Sequence, residues 1–279
     1  MRDAKRIKFD ATHKFVTSST LSAAPTEVPR LTAPTAMTVE VLHRVLGEHV
    51  IVIRNALGGG RANELAREVT RLTHPFPSPG EGTTGGRGLV SFPMGLTTLL
   101  HAETRMVLRG AAEHLRSAGS AASAAELGAM ADQQPYTSVC GALLYDAGAC
   151  LKVHLDDIAA CNTNPYDARD VLWNFGNDCE FKWQPATTKQ RWAWVTREYE
   201  RVGDKKDEQK VTLRHGDALL LNVEKILHGV KVRDTCADAE ARRLLGDRRI
   251  CVPVRPKASD AEARQHATDR AGLKPRPKG

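Results

Sequence analysis

Several signatures of membrane, secreted and zinc-binding proteins are missing from this chain. No apolar run approaches the roughly 18 residues that a membrane-spanning helix needs. The N-terminal stretch MRDAKRIKFDATHKF has no apolar core, so it does not predict a secretory signal. No C-x-x-C pair occurs, which argues against a zinc knuckle or a redox dithiol; the cysteines are Cys140, Cys150, Cys161, Cys179, Cys236 and Cys251. We expect an intracellular protein of the nucleus or cytoplasm, with the mitochondrion left open.

Internal repeats and phosphate-binding loops are also missing. The segment at 57–60, Leu57 followed by three glycines, lacks the Lys-Ser/Thr pair of a P-loop and the spacing of a dinucleotide fingerprint, so it predicts a turn. The composition, with 279 residues, 41% hydrophobic and 26% charged, is that of a soluble protein. We expect one folded domain at residues 37–256 between flexible basic tails at 1–36 and 257–279. The net charge of +7 suits a polyanionic partner such as nucleic acid, although many basic proteins bind none.

The pattern of the folded part predicts helices first and strands afterwards. Helical spacing predicts helices for VEVLHRVLGEH after Thr38, ANELAREVTRLTH, TTLLHAETRMVLRGAAEHLRSA and SAAELGAMA, with a strand at HVIVIRN and a long loop at 74–95. From about Tyr136 short strands follow: SVCGALLYD, CLKVHLD, DVLWNFGN, CEFKWQP, QRWAWVTREYERV, QKVTLRH, DALLLNV, ILHGVKV and RRICVPVR. This order predicts an α+β protein whose jelly-roll barrel, a double-stranded β-helix, is buttressed by N-terminal helices.

A candidate metal centre lies in the strand-rich part. His154 and Asp156 form an H-x-D pair, and alternate residues of a strand point the same way. The predicted strand CLKVHLD therefore has Leu151, Val153 and Leu155 on one face and Lys152, His154 and Asp156 on the other. His228 lies on a later strand and supplies a third ligand. Two histidines and one carboxylate are the ligands of iron(II) centres that activate O2. A lone H-x-D pair or a lone histidine is more often incidental, so the prediction depends on the combination.

Two arginines on the last strand complete the pattern. Arg249 and Arg255 are six residues apart, so a regular strand presents both on one face, where they could bind the two carboxylates of 2-oxoglutarate. Most strand arginines are simply solvated, and that alternative stays open. Pro253 between them has no amide donor, which predicts an edge position or a break in strand pairing.

With these motifs, residues 41–255 resemble the AlkB-like Fe(II)/2-oxoglutarate-dependent dioxygenases. Tyr145 precedes His154 by nine residues, as in that family, and RHGDALLLNVEKILHGV resembles the family's strand-turn-strand segment. The resemblance implies that His154, Asp156 and His228 bind Fe(II), that Tyr145 and Arg249 hold the distal carboxylate of 2-oxoglutarate, and that Arg255 lies near the metal-chelating carboxylate. It further implies oxidative demethylation of alkylated nucleic-acid bases, with release of succinate, CO2 and formaldehyde.

The chain departs from the family pattern at three positions. Leu143 and Cys251 stand where the family often has asparagine beside the co-substrate. Ile158 stands where DNA-repair members have an acid that helps to read the damaged base, and Asp157 lies one residue earlier. These departures predict a weaker co-substrate site and a substrate preference unlike that of a bacterial repair enzyme.

Two segments are candidate nucleic-acid contacts. Trp192, Trp194 and Tyr199 lie among basic residues and could stack on bases, and Phe92 could do so from a lid at 74–95. A twisted hairpin and a plain connecting loop are the alternatives. We expect a monomer with no membrane association that binds DNA or RNA. A hydroxylase or demethylase of a protein side chain or small molecule, or a non-catalytic jelly-roll binding module, remains possible.

Overall fold

A computed structural model describes residues 37–45, 48–73, 87–91, 94–132, 141–156, 169–187 and 208–255. The strands are β1 (Thr38–Val45), β2 (Glu48–Arg54), β3 (Arg87–Ser91), β4 (Gly141–Asp146), β5 (Cys150–His154), β6 (Arg169–Gly176), β7 (Cys179–Pro185), β8 (Gln209–Leu213), β9 (Ala218–Asn222), β10 (Ile226–Val232) and β11 (Arg248–Val254). The helices are α1 (Gly59–Thr73), α2 (Met94–Ser117), α3 (Ala121–Asp132) and α4 (Ala239–Leu245). In the described part, no helix is both long enough and apolar enough to cross a membrane.

Two antiparallel sheets form the barrel. The large sheet has the strand order β1-β2-β9-β6-β11-β4-β3, and the small sheet has the order β5-β10-β7-β8. One apolar cluster fills the space between the sheets and includes Val52, Phe181 and Leu219. A second cluster joins the other face of the large sheet to α1, α2 and α3. The predicted α+β jelly roll buttressed by N-terminal helices is therefore confirmed.

The central strands of the large sheet are covered on both faces, which explains their sequences. β6 and β9 are almost entirely buried, and their apolar residues are consecutive (VLW in β6, ALLL in β9) rather than alternating with polar ones. Trp173 of β6 points toward α2, where its indole N–H donates to Thr104 Oγ1 at 3.0 Å. Polar residues inside β6 are therefore exceptions, and two of them belong to the site described below.

The predicted first helix is wrong, because Thr38–Val45 is the strand β1. It pairs antiparallel with β2, and the Arg54 guanidinium binds the Glu40 carboxylate across the pair at 2.8 Å. Val41 and Leu42, which suggested a helical apolar face, are among the exposed large hydrophobic residues. Pairing with a buried neighbouring strand outweighed the helical spacing, since β-branched residues suit a strand equally well.

Three further boundaries differ from prediction. Part of the predicted loop at 74–95 is the strand β3, which pairs with β4, and α2 begins at Met94. The predicted turn at 57–60 ends at Gly58 (φ 68°), because α1 begins at Gly59. The short helix α4 was not predicted, although Asp238 caps it by accepting a hydrogen bond from the Ala241 amide at 2.8 Å.

Several predictions fall outside the described residues. They concern the two tails, the predicted strand QRWAWVTREYERV with its aromatic residues Trp192, Trp194 and Tyr199, and the side chains Phe92 and Ile158. They remain predictions. The other predicted strands and the helices α1, α2 and α3 are present.

Candidate metal centre

Three predicted ligands meet at one end of the small sheet. His154 on β5 lies directly opposite His228 on β10, and their ring centroids are 4.6 Å apart. Asp156 follows β5, where its backbone amide donates to the Val223 carbonyl at 3.1 Å. The candidate ligand atoms of all three residues lie within 4.8 Å of one another, so the cluster could hold a metal ion. We call His154, Asp156 and His228 the triad.

The same local contact orients both imidazole rings. His154 Nδ1 lies 2.9 Å from the Lys152 carbonyl oxygen, and His228 Nδ1 lies 3.0 Å from that of Ile226. A carbonyl oxygen only accepts, so each hydrogen bond requires the proton on Nδ1. The Nε2 atoms, 3.2 Å and 3.7 Å from Asp156 Oδ1, are then left with their lone pairs toward the centre of the triad.

Burial and charge set the protonation of the triad. Burial lowers the pKa of His228 to about 4, and the neighbouring His154 acts in the same direction. The ring of His228 stacks on that of Phe181, with centroids 5.9 Å apart. Burial alone would raise the pKa of Asp156, but its contacts with His154 and the positive charge of Arg255 outweigh burial and hold that pKa well below its usual range. At neutral pH His228 is therefore neutral and Asp156 is ionised, the states that bind a divalent metal.

A β-bulge gives His154 its orientation. His228 pairs with His154 and Val230 pairs with Leu151, so β5 has one residue more than β10 between the two pairs. As a result Leu151 packs into the cluster between the sheets, whereas Val153 packs with Leu155 in a separate cluster. The predicted regular alternation, with Leu151, Val153 and Leu155 on one face, is wrong. The bulge resets the alternation, so that His154 shares a face with His228.

Arg249 lies inside the barrel beside Tyr145, as predicted. The two residues pair across β11 and β4, and the guanidinium carbon lies 5.1 Å from the centre of the Tyr145 ring. Arg249 is 1% exposed, and its Nε donates to Asn174 Oδ1 at 2.5 Å. Among the residues that the structure describes, its buried Nη1 has no hydrogen-bond partner and no carboxylate pairs with the guanidinium.

Arg255 lies next to the triad but is engaged differently. Its Nη2 donates to Asp156 Oδ2 at 2.8 Å, and its Nε donates to Asp170 Oδ2 at 2.5 Å. The pairing leaves Asp156 Oδ1 facing the two histidines. Both arginines belong to the inner face of β11, since Ile250, Val252 and Val254 pack toward the helices. Pro253 pairs with β6 alone, because the ladder to β4 ends at Cys251, so the predicted break in pairing is present.

The architecture has counterparts among solved structures. The sequence matches no known family model and no curated protein. OsALKBH1 shares the fold, with a TM-score of 0.55 and 15% identity over 78% of this chain and 99% of that chain. Lower TM-scores relate the chain to a Pseudomonas putida prolyl-4-hydroxylase (0.43; 13% identity; 75% of this chain, 92% of that chain) and to SnoN, an alpha-ketoglutarate-dependent epimerase from nogalamycin biosynthesis (0.42; 16% identity; 84% and 89%).

Asn174 and Asp170 were missed by sequence reasoning. Leu143 and Cys251, two of the three positions that depart from the AlkB-like pattern, pair with each other across β4 and β11. On its other side Cys251 pairs with Asn174 of β6, the residue that binds Arg249. Asp170 and Asn174 are fully buried and four residues apart, and therefore share the inner face of β6. Two buried polar residues at even spacing in an apolar strand were the available signal.

A separate cavity of about 500 Å³ lies away from the triad. It is lined by Thr38, Glu40, Arg54, Asn55, Asp178, Thr212, Arg214, His215, Asp217, Ala237 and Asp238. Its central carboxylate, Asp217, accepts hydrogen bonds from the Asn55 and Arg214 amides and from the Arg54 guanidinium, each at 2.9 Å. These contacts stabilise the turn that precedes β9, which is a structural task.

Proposed function

We propose that this chain is an Fe(II)- and 2-oxoglutarate-dependent dioxygenase. One observation carries the proposal. The barrel contains a two-histidine, one-carboxylate triad and, on the facing sheet, a buried guanidinium that no carboxylate of the described residues neutralises. The triad suits a divalent metal, and the guanidinium suits an anionic co-substrate.

The triad fits iron(II) by the chemistry of its donors. Two neutral imidazole nitrogens and one carboxylate are the ligand set of non-heme iron oxygenases, and they leave coordination positions open for other ligands. Arg255 holds the second oxygen of Asp156, which fixes the orientation of that carboxylate. The metal would be held by His154 Nε2, His228 Nε2 and Asp156 Oδ1.

The buried guanidinium fits a dicarboxylate. A charged group in an apolar barrel loses several kcal/mol of hydration, and an amide oxygen such as Asn174 Oδ1 restores only part of it. A carboxylate at Nη1 would provide the missing charge-assisted hydrogen bond. Tyr145, 3% exposed and stacked on the same guanidinium, would lie beside that carboxylate.

When bound, iron(II) with 2-oxoglutarate and O2 supplies an oxidant for C–H bonds. The residues of the chain would bind and orient the metal and the co-substrate and would keep water away from them. The triad would hold the metal on one side of the barrel, and Arg249 and Tyr145 would anchor the co-substrate from the other side. The apolar walls formed by Phe181, Leu219 and their neighbours exclude water from the space between.

For the substrate, we propose a methylated base in DNA or RNA, in the nucleus or cytoplasm. The support consists of the AlkB-like motif order, the fold shared with OsALKBH1 and the net charge of +7. Hydroxylation of an N-methyl group releases formaldehyde, so such an enzyme leaves a measurable product. Two alternatives remain: oxidation of a protein side chain or a small molecule at the same iron centre, and a non-catalytic binding module without an iron centre.

The test begins under anaerobic conditions with Fe(II) and 2-oxoglutarate. We expect the weak visible charge-transfer band of a chelated 2-oxoglutarate complex, and its loss in His154→Ala. With O2, succinate and formaldehyde should form together on methylated oligonucleotides and not on unmethylated ones. If succinate forms but no oligonucleotide yields formaldehyde, the proposed nucleic-acid substrate is contradicted and the proposed dioxygenase activity is supported. If the protein shows no charge-transfer band and forms no succinate, the proposed dioxygenase activity is contradicted.

A further inference from the structure

Gly229 immediately follows the metal ligand His228 and lies opposite the β5 bulge. A β-carbon on Gly229 would lie 2.7 Å from the Leu151 carbonyl oxygen, 3.0 Å from the Val153 amide nitrogen and 3.1 Å from the Lys152 carbonyl carbon. All three are backbone atoms, which cannot move aside as the end of a side chain can. The backbone of Gly229 is not in the left-handed region, so glycine is required here by space alone.

The backbone that presses on Gly229 is the one that orients His154. Lys152 and Val153 face the single residue Gly229, and the Lys152 carbonyl accepts the Nδ1 hydrogen bond of His154. If this backbone moved away from β10, it would carry the carbonyl and the ring with it. A displacement of about 1 Å is enough to spoil a constellation of metal ligands.

We propose that Gly229 is a positioning residue for the metal centre: it admits the β5 bulge, and the bulge directs His154 toward His228. The inference rests on the proposed function only in requiring that the triad binds a metal. Gly229 touches neither metal nor substrate, because successive residues of a strand point to opposite faces and His228 points inward.

The test is the affinity of the protein for Co²⁺, followed by visible absorption without co-substrates. Gly229→Ala should weaken Co²⁺ binding about 10- to 100-fold, the loss typical when a ligating histidine loses its orienting partner. Gly128→Ala is the matched control. Gly128 lies in α3, where an added β-carbon meets no atom within 4 Å, so Co²⁺ affinity should not change.

A compensating deletion separates positioning from folding. Deleting Lys152 in the Gly229→Ala protein removes the extra residue, so Leu151 and His154 keep their partners and Val153 faces position 229 in a regular ladder. The added methyl group then has room, and the Leu151 carbonyl takes the position from which Lys152 oriented the ring. Co²⁺ affinity should return to within about threefold of the wild-type value, with the same spectrum.

The outcomes distinguish the two proposals. Wild-type Co²⁺ affinity in Gly229→Ala would overturn the inference and leave the proposed function intact. If Gly229→Ala fails to fold, recovery of both folding and Co²⁺ binding in the double variant supports the inference, and failure to recover Co²⁺ binding overturns it. A wild-type protein that binds no Co²⁺ would overturn the proposed function and this inference with it.

Discussion

Replacing Arg249 with methionine should separate co-substrate binding from stability. Methionine is unbranched and of similar length, so it fills the space between Tyr145 and Asn174 without a charge. The variant loses the guanidinium that we expect to bind the distal carboxylate of 2-oxoglutarate. A hydrogen bond to a charged group contributes about 1.5–3 kcal/mol, and a buried one is at the upper end of this range. We therefore expect 2-oxoglutarate to bind about 100-fold more weakly, the equivalent of about 3 kcal/mol.

The same change should cost the ligand-free protein little. Arg249 is buried, its Nη1 has no partner among the described residues, and only an amide oxygen binds its Nε. Replacing a buried charge of this kind with an apolar side chain is often neutral or stabilising. The lost stacking on Tyr145 costs about 1–2 kcal/mol. Removing the buried charge offsets most of this cost, so the free energy of unfolding should fall by no more than about 1 kcal/mol. Asn174 Oδ1 keeps a contact with Cys179 Sγ at 3.6 Å.

Two assays and one control decide this prediction. The dissociation constant of 2-oxoglutarate is measured by titration of the Fe(II) protein without O2, and stability by urea unfolding of the ligand-free protein. Arg248→Met is the control, because Arg248 lies on the same strand, is about half exposed and pairs weakly with Asp146 at 3.4 Å. The reasoning fails if Arg249→Met unfolds the protein while 2-oxoglutarate protects it as well as before, since Arg249 would then be a structural residue.

Three further predictions concern the triad and the turn before β7. Asp156→Asn should lower Co²⁺ affinity at least 100-fold with unchanged circular dichroism, because a neutral amide replaces the only anionic ligand of the triad. Unchanged Co²⁺ affinity would contradict the assignment of Asp156 as a metal ligand. The pKa of His228 is about 4 in the folded protein and 6.5 in the unfolded chain, so the unfolded chain binds the proton first as the pH falls. The resulting stability is complete above pH 6.5 and is lost as the pH falls toward 4, about 3 kcal/mol in total. In urea unfolding of the metal-free protein, the free energy of unfolding of His228→Gln should fall less steeply over that pH range. Gly176→Ala should destabilise the fold by more than about 2 kcal/mol, because φ is 80° and its β-carbon would overlap the Arg248 carbonyl oxygen. Gly128→Ala should unfold at the wild-type temperature or slightly above it, because alanine stabilises a helix interior by about 0.5–1 kcal/mol relative to glycine and the added β-carbon meets no atom.

The strands β4 to β11 and the clustering of the triad could be predicted from the sequence because each depends on local spacing. The spacing alone predicts which side chains share a face in the H-x-D pair at a strand end and in the R-x5-R strand, and a later strand provides the second histidine. The strand β1 could not be read in the same way, since Val41, Leu42 and Val45 satisfy a helical spacing as well as a strand. It is a strand because it pairs with β2, and this pairing cannot be predicted from the spacing of residues within the segment.

The β5 bulge was invisible for a different reason. A regular strand through Leu151, Val153 and Leu155 would also bring His154 and Asp156 to one face, so the simple alternation predicted the observed cluster although its pattern of faces was wrong. Only the pairing of Leu151 with Val230 and of His154 with His228 shows the extra residue. The sequence does contain an indication of the bulge, because Gly229 lies inside the strand β10 and glycine inside a strand often marks a close backbone approach.

The two arginines illustrate what spacing can and cannot tell. Their even separation predicted a shared face correctly, and it suggested equal roles toward the two carboxylates of a co-substrate. The structure makes them unequal. Arg255 binds the carboxylates of Asp156 and Asp170, which neutralise its charge and tie β11 to the triad and to β6. Arg249 donates to the amide oxygen of Asn174 and has no carboxylate partner among the described residues. An added dicarboxylate therefore meets an uncompensated charge at Arg249, and that residue, rather than Arg255, should determine its affinity.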